Sequence, residues 1–188
     1  MRDLHVAVIG AGMAGIASVI KLREAGIDDV VVFEKAHDVG GTWRENTYPG
    51  IACDVPSHLY SYSFAPNPDW SHTFSSGAEI QEYFRNVALR EGVCEHIRFG
   101  EEVTALDYAG GRWTLFTGTG HQETFDAVIA ATGVLHHPNV PDLPGLDTFE
   151  GAAFHSARWD HDVALEGRRV GVIGTGSSAA QITGALID

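Results

Sequence analysis

Cysteine and positive charge are scarce in this sequence and long apolar runs are missing; each shortage removes a class of protein. Only two cysteines occur among 188 residues, Cys53 and Cys94. They form no C-x-x-C pair, which excludes a disulfide scaffold and a dithiol redox motif and leaves two reduced thiols as the expectation. Twelve Lys and Arg stand against 25 Asp and Glu, a formal charge of −13. That is the wrong sign for a broad face against nucleic acid or an anionic membrane, so neither is an expected partner. No stretch reaches the ~18 consecutive apolar residues that a bilayer span needs. Met1-Arg2-Asp3 leads straight into a strand-like run rather than a signal peptide, so the chain reads as soluble and cytoplasmic. Ten histidines are present, but none has the H-x-x-x-H spacing of a helical metal pair, and no metal site is expected.

Glycine is what the sequence has in excess, 22 residues, about 12% against roughly 7% in average usage. Apolar residues make up 44% and charged residues 20%, enough to bury a core over one domain's length or a little more. Leu4 to Ile9 is a β-branched run that stops at Gly10, as a buried parallel strand does. An apolar stripe through Ile16, Val19 and Ile20 predicts a helix ending near Gly26, and Val30 to Phe33 predicts a second strand ending at Glu34. Together they make a right-handed βαβ unit. From Ala36 to about Ser76 no period is sustained, although seven aromatic residues argue against disorder. Ser76 and Glu79 are spaced as a capping box for a helix reaching Gly92. Val103 to Tyr108, Arg112 to Phe116 and Thr124 to Thr132 predict three strands, the first two joined by Gly110-Gly111. A Pro- and His-rich stretch then marks a boundary, and Arg169 to Ile173 predicts one more buried strand.

Gly10-Ala11-Gly12-Met13-Ala14-Gly15 is G-x-G-x-x-G between a strand and a helix. The first glycine permits the turn, the second lets a pyrophosphate approach the backbone, and the third lets helix and strand pack closely; the phosphates meet the positive helix N-terminus. Glu34, with Lys35 beside it, lies 19 residues after Gly15, where a carboxylate accepts hydrogen bonds from a ribose diol. Gly174-Thr175-Gly176-Ser177-Ser178-Ala179 repeats the device, with alanine at the third position. Its ribose-recognising residue would fall about 20 positions further on, beyond Asp188. Two such loops in one chain point to an enzyme that passes hydride from a nicotinamide to a flavin.

With these motifs the chain resembles the class B flavin monooxygenases over essentially its whole length. Phe149 to Asp160 match F-x-G-x-x-x-H-x-x-x-W-[P/D], the fingerprint of type I Baeyer–Villiger monooxygenases. Gly40-Gly41-Thr42-Trp43 is similar to the family's G-G-T-W segment, Tyr48 to Asp54 to its Y-P-G-x-x-C-D, and Ala131-Thr132-Gly133 to its A-T-G. The resemblance implies FAD contacts from Gly41, Thr42, Trp43, Asp54, Tyr60, Thr132 and Gly133, and from the Val103 backbone at the adenine. Ala52 stands where the family often has arginine, which implies a missing contact to the nicotinamide cofactor.

The implied cofactors are FAD and NADPH, and the implied substrates are O2 and a small ketone-like molecule. The implied reaction is oxygen insertion through a C4a-peroxyflavin to give an ester or lactone. No residue of this chain is expected to be catalytic, because the family's arginine lies beyond Asp188. His155 is expected to help couple domains rather than to act as a base. The implied fold is α/β. Residues 1–135 form a Rossmann-like, three-layer FAD-binding domain with a small antiparallel meander, 136–168 a linker carrying the fingerprint, and 169–188 the truncated start of an NAD(P)H-binding domain. Alone, these 188 residues are expected to bind FAD weakly or not at all and not to oxygenate a ketone. An N- or S-oxygenating flavoenzyme and a non-catalytic FAD-binding module are the alternatives; a disulfide reductase is disfavoured by the missing cysteine pair.

Overall fold

The computed structural model describes residues 4–135 and 137–187. In chain order the elements are β1 (Val6–Ile9), α1 (Met13–Glu24), β2 (Val30–Glu34), α2 (Thr42–Glu45), α3 (Gly77–Arg90), β3 (Ile97–Phe99), β4 (Val103–Ala109), β5 (Arg112–Thr117), β6 (Gln122–Phe125), β7 (Ala127–Ala130) and α4 (Ser177–Ile187), with short 3-10 turns at Ser57–Leu59, Val93–His96, Leu146–Thr148 and Ser156–Arg158. They fall into two units, one of residues up to Arg44 with Gln81–Val134, the other of Glu45–Ile80 with the residues from Leu135 on. Residues 45–80 thus group with the C-terminal stretch rather than with residues 1–44. Met1 to Asp3, and His136, at which the sequence reading begins the linker, lie outside the described residues.

The first unit holds a parallel sheet in the order β3-β2-β1-β7 and an antiparallel sheet in the order β4-β5-β6. Val6 pairs with Val30 on one side and Ala127 on the other. Parallel neighbours need a crossover, and α1 supplies it between β1 and β2. Strand pleating divides the core in two. Val8 lies toward Gly15 of α1, whose Ile16, Val19 and Ile20 are buried. Ala7 and Phe33 point the other way, into a cluster with Leu115 and Phe125 of the antiparallel sheet, flanked by Ile9, Val31, Val103, Leu106 and Val128. Helix, parallel sheet and antiparallel sheet therefore form three layers. Full burial of each large side chain in that cluster contributes about 1.5–3 kcal/mol.

Three local outcomes differ from the sequence reading. The strand expected over 124–132 is two strands. Asp126 turns the chain between sheets, its N–H donating to the His5 carbonyl at 2.9 Å and its carboxylate accepting from the His5 N–H at 3.0 Å. β3 has no counterpart among the expected strands; it is three residues long and is defined by its pairing of Ile97 with Val32. The strand expected at 169–173 does not form. No strand lies beside it among the described residues, and Val170, Val172 and Ile173 are 44, 40 and 72% exposed. A strand has nothing to hydrogen-bond without a neighbour. Gly110 and Gly111 behave as the hairpin requires, with φ of +60° and +82°.

In the second unit, polar cross-ties hold the aperiodic segment. The Cys53 N–H donates to the Ser75 carbonyl at 3.0 Å and the Ser57 N–H to that of Thr73 at 2.7 Å. The buried Ser57 hydroxyl lies 2.8 Å from that of Ser75 and accepts from the Ser75 N–H at 2.9 Å. Both hydroxyls are thereby satisfied away from water. Ser76 caps α3 by accepting from the Glu79 N–H at 3.3 Å. The Glu79 carboxylate takes the N–H and hydroxyl of Ser71, at 2.8 and 2.7 Å, in place of the return arm of a capping box. No helix among the described residues is long and apolar enough to cross a membrane.

Candidate cofactor site

The first glycine loop is shaped by contacts with its own chain at two positions and left open at the third. Gly10 has φ of +100°, and a Cβ there would lie 2.6 Å from the Ala131 carbonyl oxygen. A Cβ on Gly15 would lie 1.9 Å from the Gly10 carbonyl oxygen. These two glycines are therefore required by packing alone. Gly12 has φ of −80°, and its nearest neighbour would be the Gly41 Cα at 3.6 Å, an ordinary contact. Gly12 offers α1 no side-chain cap and the first turn holds no acidic residue, so no capping or acidic side chain competes with an anion at this helix N-terminus. Ala11 is buried, while Met13 and Ala14 are exposed beside that opening.

Glu34 stands at the end of β2 with only 4% of its surface exposed. One carboxylate oxygen accepts from the Ala11 N–H at 2.8 Å; the other accepts from the Ala36 N–H at 2.9 Å and from Arg44 Nη1 at 3.2 Å. A carboxylate has about four acceptor positions, so this one retains capacity for a hydroxyl donor. Arg44 also donates to the Asp38 carbonyl at 2.6 Å. Burial alone would raise the Asp38 carboxyl, but hydrogen bonds from Arg85 and the Val39 N–H, with the charges of Arg85 and Arg44, hold it below its ordinary value.

The G-G-T-W arm lies directly on the glycine loop. The Gly40 N–H donates to the Ala11 carbonyl at 3.1 Å, and a Cβ on Gly41 would come within 3.1 Å of the Gly12 Cα. Thr42 and Trp43 follow, half-buried in α2, while Lys35 is exposed. The Glu101 N–H donates to the Glu34 carbonyl at 3.0 Å, which brings the start of β4 at Val103 alongside the end of β2. Exposed Thr132, and Gly133 at φ of +72°, follow β7. Gly10 to Gly15, Glu34, Gly41 and Ala131 are thus drawn into one neighbourhood. The set fits the ADP part of a dinucleotide: a helix start with no side-chain cap, a buried carboxylate with spare acceptor capacity, and two facing glycines without side chains. Arg44 is the member that sequence reasoning missed, because its partners lie 6 and 10 residues back across an aperiodic segment.

In the second unit the other glycine loop opens α4. Gly174 has φ of +133°, and a Cβ on Gly174 or Gly176 would meet nothing within 4 Å. After Gly174, Thr175 and Gly176, the Ser177 hydroxyl donates to the Asp54 carboxylate at 2.9 Å and that of Ser178 to the Tyr48 hydroxyl at 3.1 Å. Tyr60 follows the 57–59 turn, its N–H donating to the Ser57 carbonyl at 3.0 Å. Cys53 is buried, and that burial, with the neighbouring Asp54 charge, pushes its thiol pKa up.

The fingerprint also has a physical basis within this unit. A Cβ on Gly151 would lie 2.6 Å from the Phe149 ring, and Trp159 packs edge-on to Phe154 with centroids 5.1 Å apart. His155 Nδ1 accepts from the Ala157 N–H at 3.0 Å and so caps the 156–158 turn. No group of three or more His, Cys, Asp or Glu side chains that could hold a metal ion occurs among the described residues.

The flavin-binding monooxygenase-like family profile matches residues 3–187. A Baeyer–Villiger monooxygenase of Streptomyces coelicolor is 55% identical over 187 residues, covering 98% of this chain and 36% of that protein. One of Pseudomonas aeruginosa is 44% identical over 182 residues, covering 96% of this chain and 34% of its own length. Among solved structures, cyclohexanone monooxygenase from Rhodococcus sp. Phi1 bound to NADP+ superposes with a TM-score of 0.87 at 43% identity, covering 97% of this chain and 36% of that one. The chain spans little more than a third of the length of the curated relatives it matches. It belongs to the flavin-binding monooxygenase-like family, and within that family it is similar to the Baeyer–Villiger monooxygenases.

Proposed function

We propose that these residues form the FAD-holding part of an NADPH-dependent Baeyer–Villiger-type monooxygenase that inserts one oxygen atom of O2 into a small ketone. The observation that carries this reading is the Glu34 carboxylate, buried at the end of β2 and bonded to the Ala11 N–H of an otherwise open glycine loop. FAD, when bound, supplies the hydride acceptance and oxygen activation that no side chain can provide. The chain's own residues bind and orient. N–H groups at the start of α1 receive the pyrophosphate, Glu34 accepts from the ribose diol, and Gly12 and Gly41 keep the backbone clear of side chains. The Val103 backbone, Thr42, Trp43, Thr132 and Gly133 carry the adenine- and flavin-side roles that the family pattern gives them, as do Asp54 and Tyr60 in the second unit. Gly174 to Ser178 hold the phosphates of NADPH at the start of α4. A solvent-facing chain of this kind would act in the cytoplasm.

Solved relatives support both cofactors, since one structure similar to this chain, OTEMO, holds FAD and NADP and superposes with a TM-score of 0.87 at 37% identity. The 149–160 fingerprint favours ketone oxygenation over N- or S-oxygenation. Grafting these residues in place of the aligned 187 of the Streptomyces coelicolor relative tests the reading. The graft is expected to retain flavin and convert a cyclic ketone to its lactone with NADPH. A graft that retains flavin but yields only sulfoxide or N-oxide from mixed substrates overturns the ketone assignment, and one that folds without flavin overturns the cofactor assignment.

A further inference from the structure

Gln181 projects from the second turn of α4, and both ends of its amide are used on one loop. Its Nε2 donates to the Ala52 carbonyl at 2.9 Å, and its Oε1 accepts from the Tyr48 hydroxyl at 3.1 Å. The Ala52 N–H lies 3.5 Å from the same oxygen. Ala52 forms an isolated antiparallel bridge with Ser76 on one side, and the Gln181 amide takes the backbone groups of its other edge much as a neighbouring strand would. Ser178, one turn back, donates to the Tyr48 hydroxyl at 3.1 Å, and Ser177 to Asp54 at 2.9 Å. Between these ties the Gly50 backbone closes on α4. A Cβ on Gly50 would lie 2.7 Å from the Gln181 carbonyl oxygen and 2.9 Å from the Ala185 Cβ, and its φ is +75°. Four hydrogen bonds of 3.1 Å or less and one glycine thus press residues 48–54 onto the first three turns of the helix that the second glycine loop opens.

We infer that Gln181 is a positioning residue that clasps the 48–54 loop to α4, so that seating NADP(H) on Gly174 to Ser178 and closing this loop are one linked event. The inference rests on the proposed role of 174–178. Linkage follows because a ligand that orders the start of α4 also orders the groups holding Tyr48, Ala52 and Asp54; the loop, when shut, presents a helix start that is already fixed. Cys53, buried in the middle of the loop, reports the clasp directly, since a thiol-specific reagent reaches it only when the loop lifts.

The test uses the 188-residue chain with Cys94→Ser as parent, leaving Cys53 as its sole thiol, labelled by 4,4′-dithiodipyridine. Gln181→Met keeps the side-chain length and removes both hydrogen bonds. It is expected to raise the Cys53 labelling rate at least about tenfold, the size that follows from losing two bonds that hold a loop shut, with the urea midpoint near that of the parent. Gln181→Glu separates the clasp from bulk packing. At neutral pH its carboxylate repels the Ala52 carbonyl and labelling is fast. As pH falls and the carboxyl gains a proton, it can donate to Ala52 while still accepting from Tyr48, so its rate relative to the parent at each pH returns toward one. An unchanged rate in Gln181→Met, or no recovery of Gln181→Glu at low pH, overturns the clasp. NADP+ is expected to slow labelling in the parent and not in Gln181→Met. Equal slowing in both overturns the linkage. No slowing in the parent, with the variants behaving as expected, overturns the dinucleotide assignment of the second loop and leaves the clasp standing.

Discussion

Replacing Glu34 by Gln barely changes the outline of the side chain, yet it is expected to destabilise the fold by about 2–4 kcal/mol. The carboxylate faces donors with both oxygens, the Ala11 N–H on one and the Ala36 N–H with Arg44 on the other. An amide has a single acceptor oxygen, so in either orientation its NH2 meets an N–H head-on. Leaving one buried donor unsatisfied costs about 1–3 kcal/mol, and a hydrogen bond to a charged group contributes about 1.5–3 kcal/mol. Arg44, with 14% of its side chain exposed, would lose its ionic contact with Glu34. Urea unfolding followed by far-UV circular dichroism measures the loss. A double-mutant cycle with Arg44→Met assigns it: if the two side chains act as a pair, Arg44→Met costs at least about 1 kcal/mol less in the Glu34→Gln variant than in the parent. A change within about 0.5 kcal/mol for Glu34→Gln, the range of ordinary surface substitutions, would overturn this reading of Glu34, as would strictly additive effects.

Gly15→Ala should abolish the folded first unit, because the new methyl meets a backbone carbonyl at 1.9 Å that cannot swing aside; circular dichroism of the purified variant would show loss of cooperative unfolding. Gly151→Ala makes an instructive contrast. Its methyl meets the Phe149 ring at 2.6 Å, but that residue is 61% exposed and can turn away, so a loss below about 1 kcal/mol is expected in the same unfolding assay. Acid stability should depend on Glu123. Burial alone would raise its carboxyl, but hydrogen bonds from His121, Arg98 and His5 outweigh burial and bring it to about 2. Its folded value is depressed, so its contribution is full above the ordinary value of 4.5 and is lost as pH falls from there toward 2. With 24% of the side chain exposed, solvent screening reduces the contribution to about 1–2 kcal/mol. Glu123→Gln should flatten the stability profile across that window, and an unchanged slope would count against the cluster.

Local physics made much of this fold readable from sequence. The first βαβ unit was legible because Val6 to Ile9 and Val30 to Phe33 are continuous apolar runs closed by glycine and an acid, and because Gly10 and Gly15 take their places in a motif of fixed spacing. The Gly110-Gly111 hairpin is equally local. What escaped depends on partners distant in sequence. β3 is a strand only because Ile97 meets Val32, and the run from Thr124 to Thr132 divides only because Asp126 meets His5. The apolar stretch at 169–173 shows the converse: a strand-like composition without a partner stays irregular. At the candidate site, Glu34 was visible from its spacing after the glycine loop. Arg44 and Gln181 were not, since an arginine in an aperiodic segment and a glutamine on a helix carry no local signal until the fold brings Glu34 and Ala52 to them.

Calorimetric titration of the purified chain with FAD, run beside Gly12→Ala, bears on the cofactor assignment without any intermediate step. Gly12 has a backbone conformation open to alanine and only an ordinary contact for its methyl, so that variant should unfold at the parent's urea midpoint while the methyl occupies the approach path of the pyrophosphate. Weak, saturable binding of one FAD per parent chain is expected, suppressed by excess ADP and lost in Gly12→Ala. Saturable binding that neither ADP nor the Gly12 methyl disturbs would mean that the first glycine loop and Glu34 do not hold FAD.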